Sequence, residues 1–193
     1  MMERPNVYIS NELTGRSLCG VKKWRRRTSC ERIEWIVVHY TGMIATQGDP
    51  DTAARAIARS KRESSTHYLV GDRVVQLLPV KYAAYHVGAK DGDCYNGNSI
   101  GVDLCECKMD FSSSNVSCND WYFTPQTLAN GARLIAYLAE VYNIPTDHIV
   151  RHYDVTHKRC PRPFVGTDIN AYTGQTHESA WREFVRTIDA LRD

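Results

Sequence analysis

At 193 residues and 22.0 kDa the chain has the size of one domain. Hydrophobic residues make up 42% and charged residues 24%, which excludes a disordered chain, and a formal charge of +2 gives no general case for a nucleic-acid partner. No apolar run reaches the roughly 18 residues of a membrane helix, and MMERPNVYIS lacks the apolar centre of a secretory signal. The expectation is synthesis in the cytoplasm with no membrane insertion, and release by some other agent if the chain acts outside.

Residues 1–30 show no clear hydrophobic period and read as an N-terminal arm, with the domain proper over 31–193. The arm contains VKKWRRR, Val21 to Arg27, which is either a solvated basic loop or a contact for an anionic polymer such as DNA or teichoic acid. RIEWIVVHYTG, Arg32 to Gly42, is a β-branched and aromatic run stopped by glycine. It predicts a buried strand with His39 near its C-terminal end. IATQGDPD reads as a loop, and TAARAIARSKRE, Thr52 to Glu63, as an alanine-rich helix.

STHYLV and RVVQLL flank Gly71 and Asp72 and predict a hairpin. AAYHVG leads into the glycine-rich loop AKDGDCYNGN, NSIGVDLCEC predicts another strand, and SSSNVSCND a polar loop. Thr124 caps the clearest helix, Pro125 suits its first turn, and Leu128, Leu134, Ile135, Leu138 and Val141 form its apolar stripe before Pro145 closes it. HIVRHY reads as a short strand, and ESAWREFVRTIDALRD as an amphipathic helix packed on the same domain. The fold class is α/β, a single domain with a central mixed β-sheet flanked by helices.

Seven cysteines (Cys19, Cys30, Cys94, Cys105, Cys107, Cys118 and Cys160) include no CxxC pair, so neither a zinc ribbon nor a thioredoxin-like site is indicated. Most are expected to be small buried apolar residues. Cys160 differs, because RHYDVTHKRCPRPF surrounds it with His152, His157 and Lys158. Catalytic zinc takes three protein ligands and keeps a fourth position open. His39 and His152, each ending a strand, and Cys160, returning on a loop, would make a His/His/Cys set at the rim of a sheet. His157 would be a fourth ligand if the site were structural instead, and a crowded turn without metal is the remaining reading.

VVHYTG, STHYLVGDRVVQLLPVKYAAYHVG, NSIGVDL and RHYDVTHKRCPRPF, in that order, resemble the signatures of type-2 N-acetylmuramoyl-L-alanine amidases. That family is shared by phage endolysins, bacterial autolysins and peptidoglycan recognition proteins, and the match runs from about Ile33 to Phe164. The resemblance implies that His39, His152 and Cys160 bind Zn2+, and that the substrate is the amide between N-acetylmuramic acid and L-alanine in bacterial peptidoglycan. A monomer is favoured, and the missing signal suits either action on the cell wall after holin-type or lytic release or an origin as a fragment of a longer chain with a wall-binding module. Lys158 falls where the family has an oxyanion-stabilising lysine, and Asp103 where many members have a glutamate general base. Members without that acid use a tyrosine just before the histidine of the second motif; here His67 matches that histidine and Thr66 stands at the tyrosine position. Tyr68 is expected to face the same way as Thr66, and Glu106 is the fallback acid, on the face opposite Asp103. His86 is expected either to line a substrate groove or to hold a structural hydrogen bond, and Tyr85 to line the groove, with Asn98 and Thr41 as further candidates. A non-catalytic peptidoglycan-binding module of the same fold is the alternative, against which Cys160 argues, since such members typically lack the cysteine.

Overall fold

Alternation along Trp35–Tyr40 (β3) divides the molecule into two sides. Ile36 and Val38 turn one way into a large apolar core, while Val37 and His39 turn the other. The structure, a computed structural model, describes residues 5–9, 24–60, 63–89, 92–112 and 119–193. In chain order its other strands are β1 (Val7–Ile9), β2 (Trp24–Arg26), β4 (Tyr68–Val70), β5 (Val74–Gln76), β6 (Tyr82–Ala84), β7 (Ser99–Leu104), β8 (Cys107–Lys108), β9 (Trp121–Tyr122) and β10 (Ile149–Arg151). Five of them join β3 in one six-stranded sheet in the order β1-β5-β4-β7-β3-β10. The pairs β4–β7, β7–β3, β3–β10 and β1–β5 are parallel, and β4–β5 is the antiparallel hairpin the sequence predicts. The sheet is mixed and flanked by helices, as expected.

Two helices cover the Ile36 side. They are α2 (Pro125–Tyr142) and α4 (His177–Ala190), and their residues Leu134, Ile135, Leu138, Trp181, Phe184 and Ile188 share one core with Val38, Ile100, Val102 and Leu104. Thr124 caps α2 by accepting from the Thr127 N–H, and Asn143 ends it in the left-handed region. On the other side α1 (Pro50–Arg59) packs Ala53 and Ala54 on Leu69, Val75 and Leu77. This helix covers β4 and β5 and leaves the ends of β7, β3 and β10 open on that face. The functional residues occupy the opening.

Several expectations change. The arm is joined to the domain: β1 extends the main sheet beside β5, and β2 pairs with β6. Strands of three residues are too short to show a period. Within the basic run, Val21 to Lys23 lie outside the described residues, as do Cys19, Cys118 and 113–118. Arg27 is no solvated cation, because its guanidinium donates to the carbonyls of Val80 and Ser99 and also reaches Gly97. Helix α1 starts at Pro50 rather than Thr52, since the Asp49 carboxylate accepts from the Asp51 and Thr52 N–H groups. Val141 drops out of the α2 stripe at 53% exposure. His152 does not end a strand: it opens α3 (His152–Thr156), where Asp154 accepts from the Arg151 N–H and fixes the helix start.

His67, fully buried, links the hairpin to the sheet. Its Nδ1 accepts from the Gly101 N–H at 2.9 Å, and its Nε2 faces the Tyr82 carbonyl at 3.0 Å, so the ring fits only when neutral. Burial pushes its pKa down to about 3.

Stability should track this packing. Ile135→Ala should lower unfolding free energy by about 2–5 kcal/mol, and Val141→Ala by no more than about 0.5 kcal/mol, in urea titrations of the zinc-free protein. Because the folded pKa of His67 lies below the unfolded value, its stabilisation is complete above about pH 6.5 and is lost as pH falls toward the folded value. Its share of the slope is at most about 1.4 kcal/mol per pH unit. His67→Gln should flatten the decline in midpoint between pH 6 and 4; an unchanged slope would refute the assignment.

Candidate metal centre and catalytic cavity

The parallel register brings the site together. His39 on β3 pairs with Asp103 on β7, and Val38 pairs with Arg151, so His39 is level with His152 just past the end of β10. Side by side in a parallel sheet, His39 and Asp103 face the same way. Cys160 returns from beyond α3: the Tyr153 N–H donates to the Cys160 carbonyl at 2.9 Å, and the Cys160 N–H donates to Lys158 O at 2.6 Å. One ligand atom from each of His39, His152 and Cys160 then lies within 4.8 Å of the others, with all three residues buried.

The donor set fits a zinc ion. His152 Nδ1 is buried without a hydrogen-bond partner among the described residues. An orphan nitrogen beside a thiol and a second imidazole is costly unless something binds it. The Cys160 Sγ is 3.7 Å from His39 Nδ1, which places that nitrogen toward the sulfur. Burial holds both imidazoles below their usual range, His152 to about 4 and His39 well below 6.5, with the Lys158 ammonium adding to the effect. Neutral imidazole is the ligating form. Burial also pushes the Cys160 thiol up to about 12, so it gives up a proton when it ligates.

A cavity of about 420 Å³ opens beside these ligands. Asp103, Lys158, Thr66 and His86 line it with His39 and Cys160, and the far wall comes from Thr41, Gly42, Met43 and the end of α1 at Ala56, Ile57 and Ser60. Asp103 Oδ1 is buried with no hydrogen-bond partner among the described residues, and burial raises this carboxyl to about 7 against the pull of Thr66 and Lys158. Lys158 is exposed, so its ammonium reaches the cavity from solvent.

The remaining sequence candidates are placed elsewhere. Tyr68 faces the α2 core, where Gln76 donates to its hydroxyl at 3.1 Å. Thr66 precedes β4, and alternation does not extend back to it, so the two do not share a face. Asn98 is a buried clamp: its amide donates to Asp93 O and to Glu34, and its Oδ1 accepts from the Tyr95 N–H. Tyr85 is half-buried, bonded through its backbone to the Ser65 hydroxyl, and does not line the cavity. Glu106 follows the end of β7 and accepts from the Thr41 N–H and hydroxyl and from the Met43 N–H. His157 is exposed and ends α3 in the left-handed region.

Behind His39, the candidate His86 joins Ser99, Tyr95, Asn96 and Gly101, which sequence reasoning did not single out as site residues. His39 Nε2 is 3.0 Å from His86 Nδ1, and His86 Nε2 is 3.1 Å from the Ser99 hydroxyl, which donates to Tyr95 O at 2.6 Å. Asn96 Oδ1 accepts from the His86 and Val87 N–H groups and holds that loop. Gly101 makes room, since a Cβ there would lie 2.7 Å from the His86 ring. A strand glycine opposite a ligand strand was the available signal for this crowding.

Comparison with known proteins agrees with this geometry. A family model described as N-acetylmuramoyl-L-alanine amidase matches residues 29–163. The N-acetylmuramoyl-L-alanine amidase CwlL of Bacillus licheniformis is 35% identical over 148 residues, which is 69% of this chain but 37% of CwlL, so the chain spans well under half the length of that relative. The catalytic domain of XlyA superposes with a TM-score of 0.60 at 26% identity, over 85% of this chain and 91% of the domain. PlyL shares the fold at a TM-score of 0.63 and 21% identity, over 97% of this chain and 97% of PlyL. The ordered motifs, the mixed sheet and the family match together place this chain in the N-acetylmuramoyl-L-alanine amidase family.

Proposed function

We propose that the chain hydrolyses the amide joining N-acetylmuramic acid to L-alanine in peptidoglycan, with a zinc ion held by His39, His152 and Cys160. The observation that carries this reading is the convergence of those three buried residues' ligand atoms, with the His152 Nδ1 left without a partner among the described residues, beside an open cavity that His39 and Cys160 line. Family membership supports the choice of bond. Zinc in such a site supplies Lewis acidity, acidifying water and polarising a carbonyl.

The chain's own residues supply the rest. Asp103 lines the cavity and its Oδ1 has no hydrogen-bond partner among the described residues, and a carboxyl raised to about 7 is matched to accepting a proton from an attacking water near neutral pH and passing it to the leaving amine. The Lys158 ammonium, on the cavity's rim, donates to the oxygen that gains negative charge as the carbonyl is attacked. Met43, Ala56, Ile57 and Ser60 give the opposite wall a mixed apolar and hydroxyl lining suited to a peptide stem.

Release of new N-terminal alanine from purified bacterial walls tests the reading. Zinc-loaded protein should release it, and chelator treatment or Cys160→Ser should abolish release. Wall binding without release by the zinc-loaded protein would sink the hydrolase reading and favour a peptidoglycan-binding module. Asp103→Asn should cut kcat by about 10²- to 10⁴-fold and Lys158→Met by about 10²- to 10³-fold, each with zinc content unchanged. A Glu106→Gln loss as deep as that of Asp103→Asn, in a protein of wild-type stability, would reassign the base.

A further inference from the structure

We propose that His86 and Ser99 form a proton-ordered relay that fixes the tautomer of His39, leaving Nδ1 bare for the metal, so that His86 is a positioning residue for the metal centre rather than a substrate contact. The proposal rests on the zinc reading above and adds residues outside the ligand set.

The order of protons follows from one fixed point. A carbonyl oxygen can only accept, so the 2.6 Å contact between Ser99 Oγ and Tyr95 O assigns the hydroxyl proton to that bond. Ser99 Oγ must then accept from His86 Nε2 at 3.1 Å, which puts the proton of the neutral His86 ring on Nε2. His86 Nδ1 is left as an acceptor, and at 3.0 Å it can take only a proton from His39 Nε2. His39 Nδ1 therefore carries a lone pair, and this is the nitrogen 3.7 Å from Cys160 Sγ. Each link excludes the alternative tautomer of the next. A ring free to choose would spend part of its time with Nδ1 protonated and unable to ligate.

Packing supports the same assignment. The His39 and His86 rings meet edge to face with centroids 5.1 Å apart, and His86 lies over Gly101, where a Cβ would collide with its Cγ at 2.7 Å. Its backbone is held by Asn96 Oδ1. The ring thus reaches the rear of His39 through a gap that only glycine leaves open. Outer partners of this kind change metal affinity by about 10- to 100-fold when removed.

The test uses the full chain with histidine ¹⁵N labelling. Long-range ¹H–¹⁵N spectra of the zinc-free protein should show His39 protonated at Nε2 and bare at Nδ1, and His86 likewise. Competition with a chromophoric chelator should show zinc binding weakened about 10- to 100-fold by Ser99→Ala, His86→Ala and Gly101→Ala. His86→Asn, which keeps an acceptor near the Nδ1 position, should recover most of the affinity. Thermal unfolding identifies any variant that fails to fold; Ser99→Ala and Gly101→Ala approach the relay from different strand positions, so one failure leaves the other decisive. Wild-type zinc affinity in folded variants, or His39 protonated at Nδ1, would overturn the relay while leaving the zinc site standing. Absence of zinc binding by the wild-type chain would remove the metal reading and the relay with it.

Discussion

The site depends on the register of three parallel strands. Asp103, His39 and His152 come from β7, β3 and the residue after β10, and the pairings His39–Asp103 and Val38–Arg151 set them level at one edge. A slip of one residue would turn each side chain to the other face and bury it among Leu134 and Ile135. The core disfavours that slip, because Ile36, Val38, Ile100, Val102 and Leu104 bury together on the α2 side and a one-residue shift would turn a strand's share of them away. Hydrophobic alternation on one face thus sets the positions of His39 and Asp103 on the other.

Burial makes this edge electrostatically unusual. His39, His86 and His152 are all held neutral, Cys160 keeps its proton, and the nearby ammonium of Lys158 opposes further positive charge. Such a cluster is expensive without a cation, as the unpartnered His152 Nδ1 illustrates. A divalent ion would satisfy the nitrogens and the sulfur together, so its binding free energy would add to fold stability. The short α1 completes the arrangement. It ends at Arg59 after covering β4 and β5, so the same face that is sealed over Leu69 is open over His39.

The long strands and helices were legible because their patterns are long. β3 and β7 show six-residue β-rich runs, and α2 carries a threonine cap, a proline at its first position and eighteen residues of helical period. The grouping of His39, His152 and Cys160 was legible from residue type and motif order, and the three residues do converge. What was not legible depends on tertiary direction. His152 looked like a strand residue because Ile149–Arg151 precedes it, yet the Arg151–Asp154 contact turns the chain into a helix there. Tyr68 and Asn98 carried plausible chemistry, but alternation sends one into the core and a local loop consumes the other's amide. The Ser99–His86–His39 chain joins residues up to 60 positions apart in contacts that no local period encodes.

The two buried acids of SIGVDLCE show why a shifted pKa alone does not choose a base. Asp103 and Glu106 are both raised to about 7 by burial. Glu106 spends its lone pairs on three donors of the Thr41–Met43 turn, and its own carbonyl accepts from the Gly48 N–H. Those bonds hold the segment that forms one wall of the cavity, immediately after the His39 strand. Protonating Glu106, or using it as a base, would break the bonds that keep that wall in place. Asp103 Oδ1 carries no such obligation, and Asp103 lines the cavity beside His39. Proton transfer needs an uncommitted lone pair as well as a suitable affinity, and of these two carboxyls Asp103 is the one whose Oδ1 has no hydrogen-bond partner among the described residues, which favours it as the base in the proposed reaction.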